Sequence, residues 1–398
     1  MFIEELRKIW RKERILLIAI VMFVFTATFL LPQIQLVTHG EEDASFVRFG
    51  IVRDWISRYG EQITPQEFEK IKQEYSESLS AGQAVISTEP YFAENYVFTY
   101  DDYLAYNQNA LNGVDGYSYD TLRKMRDFIS ANTEYSAIYY QEYENLMQNY
   151  EESIATKEYD IETILSGRAR ESAISIMNVL QQTEGQGSPL PYDFAIATNK
   201  YFVNISILCV ILTMVISAPV MVADNASCIR QGQYSSKKGR KIYRCQYISM
   251  AISLSVFVVA ILTGYLLLWL TTGAGDFSNC SIFSFQIREV PIYTGVSYSK
   301  YIFVMMSLVF ILTNGIGGIV FYLSGTSHNY IEMLMKTLPI VFVGIILSLS
   351  LEGAFFHTNF LFRTVGIRGI EFLSVGLVFI LGILVNLKGS YTQYKKQL

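Results

Sequence analysis

The sequence predicts an all-α polytopic membrane protein: six transmembrane helices, with a large, mainly helical extracytoplasmic domain between the first and the second. Three observations carry this. The chain of 398 residues is 51% hydrophobic, too apolar for an ordinary soluble protein, yet 17% of it is charged. Six apolar stretches are long enough, at about 1.5 Å per residue, to cross roughly 30 Å of hydrocarbon. The charge gathers outside those stretches: residues 38–198 carry a net −16 and the rest +11, behind a formal total of −5.

Residues 1–14 open the chain as an amphipathic interfacial helix, expected on the cytoplasmic side. Phe2, Ile3, Leu6, Ile9 and Trp10 share one face, and Glu5, Lys8, Arg11 and Lys12 the other. The first span is read at 15–37. It is too long for a removed signal peptide and lacks a small-residue cleavage site, so it is expected to stay as an anchor. The other spans are read at 201–223, 248–272, 301–323, 338–356 and 370–387, within a membrane body of residues 199–398.

Residues 38–198 read as an acidic domain large enough to bury its own core. Thr64-Pro65-Gln66-Glu67 supplies an N-cap, a proline in the first turn and a capping-box acid. Phe68, Ile71, Tyr75 and Leu79 then recur on one helical face. Further helices are expected at 120–130, along Tyr139, Tyr143, Leu146 and Tyr150, and at 161–182 with a break at Gly167. Residues 96–100 read as a short strand, and 185–191 as a linker into the second span. Sixteen of the 28 tyrosines fall in this domain. Tyrosine offers apolar area with a polar tip, so an acidic, tyrosine-rich surface suits a cationic peptide. Asp101, Asp102, Glu151 and Glu152 are the acids expected to meet it. The competing reading packs the tyrosines helix against helix.

Sidedness follows from the short basic segments. Arg7, Lys8, Arg11, Lys12 and Arg14 precede the first span. Arg230, Lys237, Lys238, Arg240, Lys241 and Arg244 lie between spans two and three, opposed only by Asp224. Lys388, Lys395 and Lys396 follow the last span. These segments share one side if there are six spans, which puts both termini in the cytoplasm. Arg363 and Arg368 break the rule, so their loop is expected to be partly membrane-embedded.

Several chemistries are excluded. Leu79-Ser80-Ala81-Gly82-Gln83 looks like the LSGGQ signature of ABC ATPases, but it falls outside the cell, where no ATP is supplied. No Gly-Lys pair occurs, so no phosphate-cradling GxxxxGK[ST] loop is present, and the match is read as a helix end with glycine. The chain is not expected to be an enzyme. His39, His328 and His357 are its only histidines, without metal-site spacing, so no metal and no cofactor of its own are expected. Cys209 falls in a span, Cys228 and Cys245 in the basic loop, and Cys280 alone outside, which leaves no intrachain pair there. Within the spans, Glu352 stands out as an acid near the outer end of the fifth, a position that can mark an ion path. The scarcity of such groups argues against a proton-coupled secondary transporter. Pro219, Pro339 and Gly315-Ile316-Gly317-Gly318 read as bends or close-packing points.

The loop at 224–247 is the most informative short segment. Asp224 ends the second span, and Ser236-Lys237-Lys238-Gly239-Arg240-Lys241 follows. Here the chain resembles the ABC-2 type permease family, the membrane subunits of many bacterial ABC exporters. Their second span runs into an acidic residue, then a short coupling helix, then a Ser/Thr-Lys-x-Gly-Arg-x-x stretch. Asp224 matches the acidic position, where Glu is commoner, and the basic run matches the last stretch. The six spans and the N-terminal helix agree. The resemblance covers the membrane segments and leaves out residues 38–198.

The resemblance implies a permease in a bacterial plasma membrane, surrounded by lipid and paired with a second permease copy. A separate ABC ATPase would supply the chemistry of ATP and Mg. Asp224, Arg230, Lys237, Lys238, Gly239, Arg240 and Lys241 would couple to it. The implied cargo is an antimicrobial or signalling peptide or another amphipathic molecule, with a drug or sodium ion as alternatives. A receptor or sensor with an extracytoplasmic ligand-binding domain is the reading from another class. Its anchor–domain–span layout fits, but four additional spans and the lack of a cytoplasmic signalling domain weigh against it. A four-span permease that works mechanically on envelope substrates would have too few spans. No nucleic-acid partner is expected.

Overall fold

The structure, a computed structural model, describes residues 2–38, 44–133, 137–226 and 242–395. Helix α1 (Phe2–Ile9) has Glu4 and Glu5 in its first turn and Arg7 and Lys8 in its last, charges that complement the helix dipole. It is shorter than residues 1–14, because extended backbone at Arg11 starts the next helix. That helix, α2 (Lys12–Thr38), is the first long apolar one, and Thr26–Leu30 widens it into a π turn. Thr26 Oγ1 at this turn lies 2.5 Å from the Tyr265 hydroxyl.

Seven helices come next: α3 (Ala44–Tyr59), α4 (Pro65–Thr88), α5 (Pro90–Glu94), α6 (Tyr100–Leu111), α7 (Tyr119–Asn132), α8 (Ala137–Ile164) and α9 (Gly167–Glu184). The expected capping box starts α4: Glu67 N donates to Thr64 Oγ1 at 3.3 Å, and Thr64 N to Glu67 Oε2 at 2.8 Å. A second box, Thr99 with Asp102, starts α6. It overturns the strand expected at 96–100. Tyr96 takes the left-handed region at φ 60°, and Thr99 caps a helix instead of extending a ladder. Gly167, at φ 54°, breaks the chain between α8 and α9 as expected. The LSAGQ run is not a helix end: it lies inside α4, where the open face of Gly82 admits the Tyr140 ring.

Several of these tyrosines join helix to helix. Tyr75 stacks on Tyr143 with centroids 5.0 Å apart, Phe68 on Tyr150 at 3.9 Å, and Trp55 meets Tyr143 edge-on at 5.2 Å. Pairs of this kind add about 1 kcal/mol beyond area burial.

The remaining helices are α10 (Tyr192–Ala226), α11 (Ile242–Leu270), α12 (Tyr298–Gly325), α13 (Tyr330–Leu349), the short α14 (Phe360–Val365) and α15 (Ile370–Lys395). Among the described residues, six helices are long and apolar enough to cross a membrane: α2, α10, α11, α12, α13 and α15. Helix α10 is the mast of this bundle, with most of its apolar stretch buried, whereas that of α2 is largely exposed. Helices α12 and α15 cross glycine on glycine. A Cβ on Gly382 would stand 2.5 Å from Gly315 O, and one on Gly318 3.1 Å from Gly382 O. The glycines expected to pack closely do so.

Both ends of the bundle are closed by polar contacts. The loop end holds α1, the last turn of α10 and the first of α11. The cap end holds α3–α9 and the connections at 271–297 and 350–369. One apolar core runs from the cap helices into the bundle: Phe49 meets Phe194 at 5.5 Å, and Phe194 meets Trp269 at 5.7 Å. Arg53 adds an ion pair to Asp276 at 2.9 Å and a hydrogen bond to Thr272 O at 3.0 Å.

Candidate functional site

At the loop end, α1 is clasped to both flanks of residues 227–241. Asp224 lies just before that segment and Gln246 just after it. Gln246 Nε2 donates to Asp224 Oδ2 at 2.7 Å and to Glu5 Oε2 at 3.1 Å. Lys8 Nζ donates to Glu5 Oε1 at 3.0 Å and to Asp224 Oδ2 at 3.2 Å. Glu5, Asp224 and Gln246 are buried, while the Lys8 side chain keeps 31% of its surface. Two buried carboxylates repel, and the ammonium between them offsets that repulsion. Burial pulls the Lys8 ammonium down, but its bond to Glu5 and the attraction of Asp224 outweigh this and hold it above the ordinary lysine value. Trp10 adds a second anchor on α11, donating to Ser253 Oγ at 3.3 Å and meeting Phe257 edge-on.

Asp224 is the one predicted coupling residue the structure describes. Arg230, Lys237, Lys238, Gly239, Arg240 and Lys241 lie outside the described residues. Its partners Glu5, Lys8 and Gln246 were not singled out from sequence as site residues.

Just before Asp224, Pro219 lies inside α10. Val222 N donates to Ser324 Oγ at 3.1 Å, and that hydroxyl donates to Ala218 O. Val222 N and Ala218 O are an i, i−4 pair of the helix ladder, and both bond the same side chain of α12. Asn225 Nδ2 then donates to Ser327 O at 2.8 Å, tying the end of α10 to the turn after α12.

At the cap end, a cavity of about 380 Å³ opens between the tops of α10 and α12, the 281–297 connection and the turns after α13. Tyr192, Tyr298, Tyr301 and Phe356 line it, with Lys200, Glu289 and Glu352 as its charged groups. Glu352 is on this rim and not inside a span. Asn329 caps α13, its side chain accepting from Glu332 N at 2.8 Å, so the helix starts earlier than the hydropathy predicts and ends at Leu349. Glu332 and Lys336 fall inside it as an ion pair at 2.6 Å. Glu371, in the first turn of α15, is fully buried, and neither carboxylate oxygen has a hydrogen-bond partner among the described residues. Glu352 is therefore not the only acid to consider near the spans. The others sit in the first turns of helices, which the sequence reading trimmed away (α13) or passed over (α15).

Two buried bases hold the cap to this end. His357 Nδ1 lies 2.9 Å from Val290 O, so it carries the proton, and Nε2 accepts from Ser172 Oγ at 3.1 Å. Ser172 Oγ in turn accepts from Arg368 Nε at 2.9 Å. Burial pushes His357 down to about 4. Arg363 Nη2 donates to Ile164 O at 3.0 Å, so both arginines that break the charge rule are bonded to α8 and α9 or the turn between them. Lys157, 1% exposed, donates to Ser284 O at 2.8 Å and Ser153 Oγ at 2.9 Å and lies over the Phe283 ring. Burial pushes its ammonium down to about 7.

The four acids expected to meet a peptide are dispersed in their roles. Asp102 accepts from Thr99 N at 2.9 Å and Phe98 N at 3.1 Å. Glu151 is paired with Lys72, and Glu152 accepts from Gln148 at 3.0 Å. Asp101 is exposed, near enough to Glu144 to help burial raise that carboxyl. Among the described residues, no group of three or more His, Cys, Asp or Glu is placed to hold a metal ion.

Comparison with protein-family models, with curated proteins and with solved structures gives no match. The fold itself places the chain among multi-pass helical membrane proteins.

Proposed function

We propose that this chain is the permease subunit of an ATP-driven exporter in a bacterial plasma membrane. A separate ATPase and a second permease copy complete it. Its cargo is an antimicrobial or signalling peptide or another amphipathic molecule. The loop end faces the cytoplasm in this reading, and the acidic cap faces outward. The observation that carries the reading is the clasp of Lys8, Glu5, Asp224 and Gln246. It joins α1 to the helices on either side of residues 227–241. A force applied to that basic segment reaches three helices through one buried polar cluster. The bonds of Ser324 and Asn225 pass it on to α12.

The test is co-purification of an ATPase subunit with the intact chain from native membranes. Arg240→Glu with Lys241→Glu places like charge at the interface and is expected to cost about 2–5 kcal/mol of partner affinity. Lys395→Glu with Lys396→Glu should leave partner recovery unchanged. Equal recovery with both double variants would overturn the role given to the loop.

A further inference from the structure

We propose that the cap-end cavity binds an amphipathic ligand carrying a primary amine, with Glu289 and Glu352 as counter-charges and Tyr192, Tyr298 and Phe356 as its apolar walls. This names the substrate class of the exporter and rests on that reading only for the ligand's fate; binding itself needs this chain alone.

At about 380 Å³, the cavity falls within the range of small-molecule sites, roughly 300–1,000 Å³. Its lining is divided. Leu190, Ile196, Ile282 and Ile287 join the aromatics on the apolar side, which suits a hydrocarbon body. The charged groups are two carboxylates against Lys200, a net −1 that favours a cation.

Several other acids are paired: Asp276 with Arg53, Glu142 and Asp193 with Arg48, and Asp224 with Lys8. Among the described residues, the side chains of Glu289, Glu352 and Lys200 make no hydrogen bond or ion pair. An ammonium in the cavity sets its charge against the two carboxylates. The lining also holds Tyr192, Tyr298 and Tyr301, aromatic residues of the kind that attract cations. The two acids are not equivalent. Buried Lys157 feels the charge of Glu289, which is thereby partly compensated. Glu352 is the freer of the two and carries more of the selectivity.

Trp269 reports on the wall, because its Nε1 donates to the Tyr298 hydroxyl at 2.9 Å. The purified full chain, without any ATPase, is titrated with 4-phenylbutylamine and with 4-phenylbutanol in phosphatidylcholine nanodiscs, following tryptophan fluorescence. The amine is expected to bind at least ten-fold more tightly than the alcohol. Glu352→Gln should cut that preference several-fold, and more than Glu289→Gln does. Retained alcohol binding shows that each variant is folded. Lys200→Glu, at an exposed position, should strengthen amine binding several-fold, which a misfolded protein would not do. Equal binding of amine and alcohol, or an unchanged preference in Glu289→Gln with Glu352→Gln, overturns the site. Nanodiscs enriched in phosphatidylethanolamine separate two sources of the same chemistry: loss of amine binding assigns a lipid headgroup, and unchanged binding assigns a soluble amphipathic amine. Failure of the ATPase co-purification would leave these titrations untouched, so the two ideas fail separately.

Discussion

Lys8 and Asp224 stand 216 positions apart in the chain, yet Lys8 Nζ reaches Asp224 Oδ2 at 3.2 Å. The ammonium is shared with Glu5, so removing it leaves two buried carboxylates side by side. Lys8→Met is expected to destabilise the protein by about 2–4 kcal/mol. Adding Glu5→Gln should recover part of that loss, because one of the facing charges is gone. Thermal unfolding of the four proteins in the double-mutant cycle measures the coupling; additive losses would mean the three groups do not share one cluster.

The sidedness assigned to the two ends can be read by labelling. In a background lacking native cysteines, Asp115→Cys should react with a membrane-impermeant maleimide on intact cells. Gly239→Cys should react only after permeabilisation. Labelling of both from the same side would reverse or break the proposed topology.

Gly382 and Gly376 lie on one helix in opposite surroundings. Nothing lies within 4 Å of a Cβ on Gly376, whereas one on Gly382 meets Gly315 O at 2.5 Å. Gly382→Ala should cost about 1–3 kcal/mol by forcing α12 and α15 apart. Gly376→Ala should be neutral or slightly stabilising, since alanine is the better helix former. Melting temperatures in detergent decide this, and equal shifts would contradict the crossing.

His357 should make the cap's attachment sensitive to acid. Its folded value of about 4 lies below the ordinary 6.5, so the unfolded chain binds the extra proton first. The stability is present above about pH 6.5 and is lost as pH falls toward 4, by up to about 3 kcal/mol. Unfolding measured from pH 7.5 to 4.5 should show a shallower decline in His357→Asn than in the native protein. Parallel curves would mean that other groups govern the acid response.

How far the fold could be read varied with the range of the signal. The Thr64–Glu67 box is local, and it was legible. The same device at Thr99–Asp102 was missed, because Tyr-Val-Phe-Thr-Tyr also has the composition of a strand. All six long helices were legible as apolar runs, but their ends were not. Hydropathy drops where Tyr192-Asp193 and Glu332 begin α10 and α13, while the backbone stays helical through them.

The sites divide the same way. Asp224 stood out because it ends an apolar run before a basic segment. Its partners lie in other segments, and only a folded chain brings Glu5 and Gln246 to it. A polar face on α1 was the one available hint. Glu371 could have been found by asking which acid opens a span with no base in the same turn. Lys157 gave no such signal, since a lysine on an acidic helix reads as solvent-exposed until Ser284 closes over it.

The hydroxyl of Ser324 has a consequence for how the second long helix can move. Two backbone groups that flank Pro219, Ala218 O and Val222 N, are both bonded to an atom of a neighbouring helix. Withdrawing the neighbour by about 1 Å would lengthen both bonds past their useful range at once. One hydroxyl thus couples the end of that helix, Asp224 included, to the position of its neighbour.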